Sequence, residues 1–80
     1  MSYAAQTPAQ LGQILQAQRK ASGLNQQQAA ASVGLLPKTI SRLERAPDTA
    51  TIDSLFKLLS ALQLELVVRS KDARPTAREW

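Results

Sequence analysis

The sequence predicts a small, mainly α-helical domain of four to five helices, closed by one short C-terminal β-strand. Three observations predict it. Between residues 7 and 62 the chain is a series of short amphipathic segments, opened by capping residues or prolines and punctuated by glycines. After Leu62 the apolar period changes from helical spacing to strict alternation. A chain of 80 residues affords one domain with a thin core, so oligomerisation is a reasonable further source of stability.

The first helix opens at "TPAQ". Thr7 fits the N-cap and Pro8 the first helical position, where a missing N–H costs nothing. Gln10 fits the position whose side chain returns to the cap backbone. Leu11, Ile14, Leu15 and Ala21 give it an apolar stripe, Arg19 and Lys20 suit the dipole of its last turn, and Gly23 suits the left-handed position beyond it. Asn25 caps a second helix with Gln28 reciprocating. Ala29, Ala30 and Val33 form its inner side, small enough for two backbones to pack closely. Gly34 ends this helix and Leu35 points inward from the turn. Pro37 starts a third helix, which cannot pass Pro47 and is expected to end near Arg45.

"APDTAT" reads as a loop. Thr51 then caps a fourth helix with Asp53 in its first turn. Ile52, Leu55, Phe56, Leu59 and Leu62 recur at helical spacing, the strongest periodic signal in the chain, and are expected to supply much of the core. In "LQLELVVR", Leu62, Leu64, Leu66 and Val68 alternate with Gln63, Glu65, Val67 and Arg69. No other segment reads as a strand, and a lone strand leaves its backbone unpaired. The economical partner is the same segment, Leu64, Glu65, Leu66, Val67 and Val68, of a second copy in a two-fold homodimer. The alternative is an extended tail without a ladder. These elements place a flexible N-terminus at 1–6, one domain at 7–69 and a disordered tail at 70–80, where no large apolar residue occurs before the terminal Trp80.

Composition narrows the chemistry. The chain has no cysteine and no histidine, which removes disulfides, thiolate or imidazole metal sites and every Cys- or His-based catalytic arrangement. Its few carboxylates are mostly taken up by helix ends and the tail and form no converging cluster, so neither an enzyme nor a cofactor is expected. "MSYAAQ" has neither a basic region nor an apolar run, so no signal peptide is expected. No apolar stretch approaches membrane-spanning length, and the expectation is a soluble cytoplasmic protein. A net charge of +4 and a pI of about 10.1 lean towards a polyanionic partner.

The third helix sharpens that lean. At about 100° per residue, Lys38, Ser41, Arg42 and Arg45 share one third of the circumference, with Ile40 and Leu43 opposite. Two helices joined by a short glycine-containing turn, the second carrying such a face, make a helix-turn-helix whose second helix can enter the DNA major groove. Lys and Arg can donate to guanine O6 and N7, and Ser can serve several base edges. Gln26 and Gln27, at the start of the second helix, suit phosphate contacts. A basic stripe on a short helix is also what a solvated face looks like.

The run "LNQQQAAASVGLLPKTISRLE" resembles the Xre-type, phage-repressor-like helix-turn-helix family, with similarity from about Leu11 to Leu62. The resemblance makes Ala30 the helix-contact residue and Gly34 the turn glycine, with Ile40 and Leu43 anchoring the recognition helix. It places Gln26, Pro37, Lys38, Ser41 and Arg42 at positions that usually meet phosphates or base edges, and makes Arg19 and Glu44 an internal salt bridge; with Gln27, Thr39 and Arg45 the former are the candidate DNA-binding residues. Leu36 and Pro37 depart from the pattern by standing where polar residues often begin the recognition helix. Ala46 and Ala29 depart from a usual Gly or Asn and a usual Leu.

"LERAPDTATIDSLFKLLSALQLELVV", with a polar tail ending in Glu79 and Trp80, more narrowly resembles the HipB-type antitoxins. That resemblance implies a homodimer paired through its strand, an operon-repressing role on double-stranded operator DNA, and a HipA-type serine/threonine kinase toxin as partner. Glu79 and Trp80 would then form the toxin-binding tail. A terminal aromatic suits an interface anchor, though it can equally fold back or stay free. A stand-alone Xre-type repressor and a helical protein-interaction module are the competing readings.

Overall fold

The computed structural model of the chain describes residues 2–71. They form four α-helices and one 3₁₀ turn: α1 (Pro8–Ala21), α2 (Gln26–Ser32), α3 (Pro37–Arg45), the 3₁₀ turn Pro47–Thr49, and α4 (Ile52–Ala61). No helix among these residues is long and apolar enough to cross a membrane.

The caps follow the side chains expected to make them. Thr7 accepts from the Gln10 N–H at 3.1 Å, and Asn25 and Gln28 close a reciprocal capping box at 2.7 and 2.9 Å. Thr51 accepts from the Ser54 N–H at 3.0 Å. One detail differs. The Gln10 side chain takes the N–H of Gln6, at 2.7 Å, rather than that of the Thr7 cap.

Three helices end in the same closure. The N–H of Leu24, Leu35 and Leu64 returns to the carbonyl of Arg19, Ala30 and Leu59, each five residues back. The residue before each returning N–H has positive φ: Gly23 at 76°, Gly34 at 73° and Gln63 at 57°. Each closure turns a leucine back onto the core it has just left. Gly34 therefore adopts the left-handed backbone of the turn that joins α2 to α3 without the steric cost a side chain would carry.

The core is Leu15, Ala29, Ala30, Ile40, Leu43, Leu55, Leu58, Leu59 and Leu62, flanked by partly buried Leu11, Leu24, Leu35 and Leu64. α3 lies against both α1 and α2, and α4 closes over α2 and α3. Ala29 and Ala30 are fully buried, so the small side chains let α2 and α3 approach closely.

Several positions differ from the sequence expectation. Ala21 is exposed and Ile14 and Val33 are only partly buried, while Gly12 and Arg19 take buried places on α1. On α4, Leu55, Leu58, Leu59 and Leu62 form the covered stripe, whereas Ile52 and Phe56 are 67% and 49% exposed. α4 is apolar over a wider arc than its own chain covers. The "APDTAT" loop contains the 3₁₀ turn. Residues 64–70 carry no helix and no strand, so the predicted C-terminal strand is not formed among the described residues of this single chain. Glu79 and Trp80 lie outside the described residues.

Candidate nucleic-acid interface

The chain holds α3 by its inner side. Ile40 and Leu43 are 0% and 1% exposed. Glu44, on the same side, is anchored by a buried ion pair. Arg19 Nε donates to its Oε2 at 2.6 Å and Arg19 Nη2 to its Oε1 at 3.2 Å, while Arg19 Nη1 donates to the Leu24 carbonyl at 2.9 Å. The guanidinium thus ties the end of α1, the α1–α2 turn and the last turn of α3 together. Among the described residues no buried side-chain polar atom lacks a partner.

Gly12 shows how close α1 comes to this point. A Cβ built there would lie 2.3 Å from the Glu44 carbonyl oxygen, so only glycine lets the α1 backbone pass. Sequence reasoning missed Gly12. Its signal was the costly placement of a glycine in a helix interior, which usually has a packing reason.

The other side of α3 is open. Pro37, Lys38, Arg42 and Arg45 are exposed and Ser41 is partly exposed, as the helical wheel requires. Thr39 is also partly exposed, at the margin between Arg42 and Leu43. Among the described residues Lys38, Arg42 and Arg45 make no ion pair. Three cations on one nine-residue helix therefore face outward without an acidic neighbour to neutralise them. That arrangement can meet phosphates or the acceptor atoms of a guanine edge.

The two glutamines on α2 separate. Gln27 is exposed, whereas Gln26 is partly buried and its Nε2 donates to Glu44 Oε1 at 3.2 Å. Gln26 thus extends the Arg19–Glu44 network to the edge of the α3 face, a role the sequence reading did not assign. At the start of α3, Leu36 occupies the N-cap with no side-chain cap bond and is 58% exposed.

A second exposed surface is apolar. Leu66, Val67 and Val68 are 51%, 65% and 84% exposed, and Ile52 and Phe56 of α4 are exposed as well. Phe56, Leu59, Leu64 and Leu66 line a shallow open groove there. The described residues hold no cluster of His, Cys, Asp or Glu that could bind a metal ion.

Comparison with known proteins finds relatives for this arrangement. The helix-turn-helix family model matches residues 15–68. Antitoxin HipB of Escherichia coli strain K12 is 32% identical over 74 residues, covering 91% of this chain and 84% of the relative. Among solved structures, a HipA-HipB-O2-O3 complex contains a chain that superposes with a TM-score of 0.83 at 28% identity, covering 88% of this chain and 99% of that one. A HipB-O4 20mer complex gives the same TM-score, identity and coverages.

Proposed function

Because the chain belongs to the helix-turn-helix family and, within it, to the HipB-type antitoxins, we propose that it is a sequence-specific DNA-binding repressor that doubles as the antitoxin of a HipA-type kinase. It acts in the cytoplasm, has no catalytic role of its own, and represses the operon that encodes it by occupying the operator. The observation that carries this reading is the division of α3. Ile40, Leu43 and Glu44 are buried into the domain, and Lys38, Arg42 and Arg45 face out with no ion pair among the described residues.

Lys38, Ser41 and Arg42 read base edges, with Pro37 and Thr39 beside them. Gln26, Gln27 and Arg45 meet the phosphate backbone. The Arg19–Glu44 pair and Gln26 hold this helix at a fixed angle, so the side chains arrive pre-positioned. Two copies join through Leu64, Glu65, Leu66, Val67 and Val68 as an intermolecular ladder, with Ile52 and Phe56 filling the space beneath. This reading accounts both for a segment that forms neither helix nor strand in the single chain and for the exposed apolar side chains of α4. The toxin is bound through the C-terminal tail, with Glu79 and Trp80 as its anchor.

The test is a fluorescence titration of the purified protein against the DNA upstream of its own gene, beside scrambled DNA, at several salt concentrations. Tight, sequence-dependent and salt-sensitive binding is expected. Replacing Lys38 or Arg42 with Ala should cost about 1–3 kcal/mol on the specific site and much less on scrambled DNA. Equal weak binding to both DNAs would reject the repressor. For the antitoxin role, co-purification with the HipA-type kinase should be lost when Glu79 and Trp80 are removed.

A further inference from the structure

We propose that Leu36 is a specificity-determining residue that packs against the C5-methyl group of a pyrimidine in the major groove, in the duplex thymine and, where DNA is modified, 5-methylcytosine. The inference rests on the DNA-binding reading of α3 and goes beyond it, because the basic face alone selects acceptor atoms and says nothing of methyl groups.

Leu36 is hard to explain by folding. It stands at the N-cap, where Ser, Thr, Asp or Asn would satisfy a free N–H of the first turn, and it makes no side-chain bond there. The other three helices all have an N-cap side chain that accepts such a bond. Nor is Leu36 needed in the core. Its neighbour Leu35 turns inward and packs on the buried cluster, while Leu36 is 58% exposed. A large apolar side chain thus sits in water at the cost of a cap.

Its position gives it an occupant. Leu36 directly precedes Pro37 and Lys38, and its carbonyl accepts the N–H of Thr39 at 2.9 Å, which fixes it to the leading end of α3. Leu36 and Pro37 are both exposed at the leading end of α3, directly before the exposed Lys38. A helix that enters the major groove by its N-terminal residues brings this end to the base edges first. The thymine methyl is the apolar group that unmodified DNA offers there, and apolar side chains contact it. Leucine has no donor or acceptor with which to reach anything else in the groove.

The experiment starts from the duplex that the full-length protein selects from a random library. Each thymine is then replaced singly by deoxyuridine, which removes the methyl and keeps every hydrogen-bonding group. The wild type is expected to lose about fourfold in affinity at one position per half-site, the size of one buried methyl. Leu36→Ala and Leu36→Ser should bind the two duplexes equally. Leu36→Ser, which supplies the missing cap, should melt no lower than the wild type, so its loss of discrimination is not unfolding. Cytosine and 5-methylcytosine placed at the sensitive position separate the two sources of the methyl group. Recovery of wild-type affinity by 5-methylcytosine over cytosine supports direct methyl reading. Specific binding with no thymine–uracil difference, or an unchanged difference in both variants, would overturn the role of Leu36 alone. Failure to select any sequence would overturn the DNA-binding reading and this inference with it.

Discussion

Glu44 is the residue on which most of the site depends. Its carboxylate is 1% exposed and receives Arg19 Nε, Arg19 Nη2 and Gln26 Nε2, so three donors from two other elements end on it. Removing it leaves a buried guanidinium with no counter-charge. Glu44→Ala should therefore destabilise the domain by about 3–5 kcal/mol, read by chemical denaturation. That is a large share of the ~5–15 kcal/mol typical of a folded domain. The penalty belongs to the orphaned partner rather than to the bond. Replacing both residues, as in Arg19→Met with Glu44→Leu, should recover much of it. If the double variant is no more stable than Glu44→Ala, the pair is holding the fold by geometry that apolar packing cannot imitate. The pairing came from family resemblance, since a 25-residue separation gives local pattern no purchase on it. The Gln26 bond was not legible. Glutamine at the start of a helix reads as a solvent- or phosphate-facing donor, and only the packing of α2 on α3 turns it towards Glu44.

At the scale of elements, the starts of α1, α2 and α4 were legible because each cap is a local contact between one side chain and one N–H, and the start of α3 because proline marks it. Helix ends were legible where glycine marks them, as at Gly23 and Gly34. The end of α4 was legible only from the change of apolar period at Leu62, because Gln63 adopts the left-handed conformation that glycine would normally mark. Gln63→Gly should relieve that cost and raise stability by about 1 kcal/mol, visible as a higher melting temperature. Unchanged or lower stability would mean that the Gln63 side chain contributes contacts worth as much. α4 also shows what periodicity cannot supply. Leu55, Leu58, Leu59 and Leu62 are covered by this chain, and Ile52 and Phe56 continue the same apolar arc without cover. A sequence reports that an arc is apolar, not which molecule covers it. On the dimer reading, Phe56→Glu and Leu66→Lys should each shift the protein from dimer to monomer in analytical ultracentrifugation while keeping its helical circular dichroism. A dimer that survives both substitutions would remove residues 64–68 and α4 from the interface.

The described residues present two outward surfaces with different chemistry, and the proposed function uses both at once. The proposed recognition surface is on α3 and is cationic; the apolar surface is on α4 and the segment after it. A single α3 of nine residues reaches only a few base pairs, too few to single out one site. Dimerisation solves this by geometry. A two-fold dimer presents its recognition helices to successive major grooves about one helical turn apart, ~34–36 Å or about 10–10.5 base pairs, and the site must mirror that symmetry. The consequence can be measured without altering the protein. Inserting about five base pairs between the half-sites rotates one of them by about half a turn, so the second helix meets the back of the duplex. Most of the specific advantage over random DNA, typically a factor of ~10³ or more, should disappear. Inserting about ten base pairs restores the face but not the distance, and a rigid dimer should recover little. Affinity indifferent to both insertions would mean that each copy binds alone. The apolar surface of α4 and residues 66–68 would then be serving a partner other than a second copy bound to the same operator.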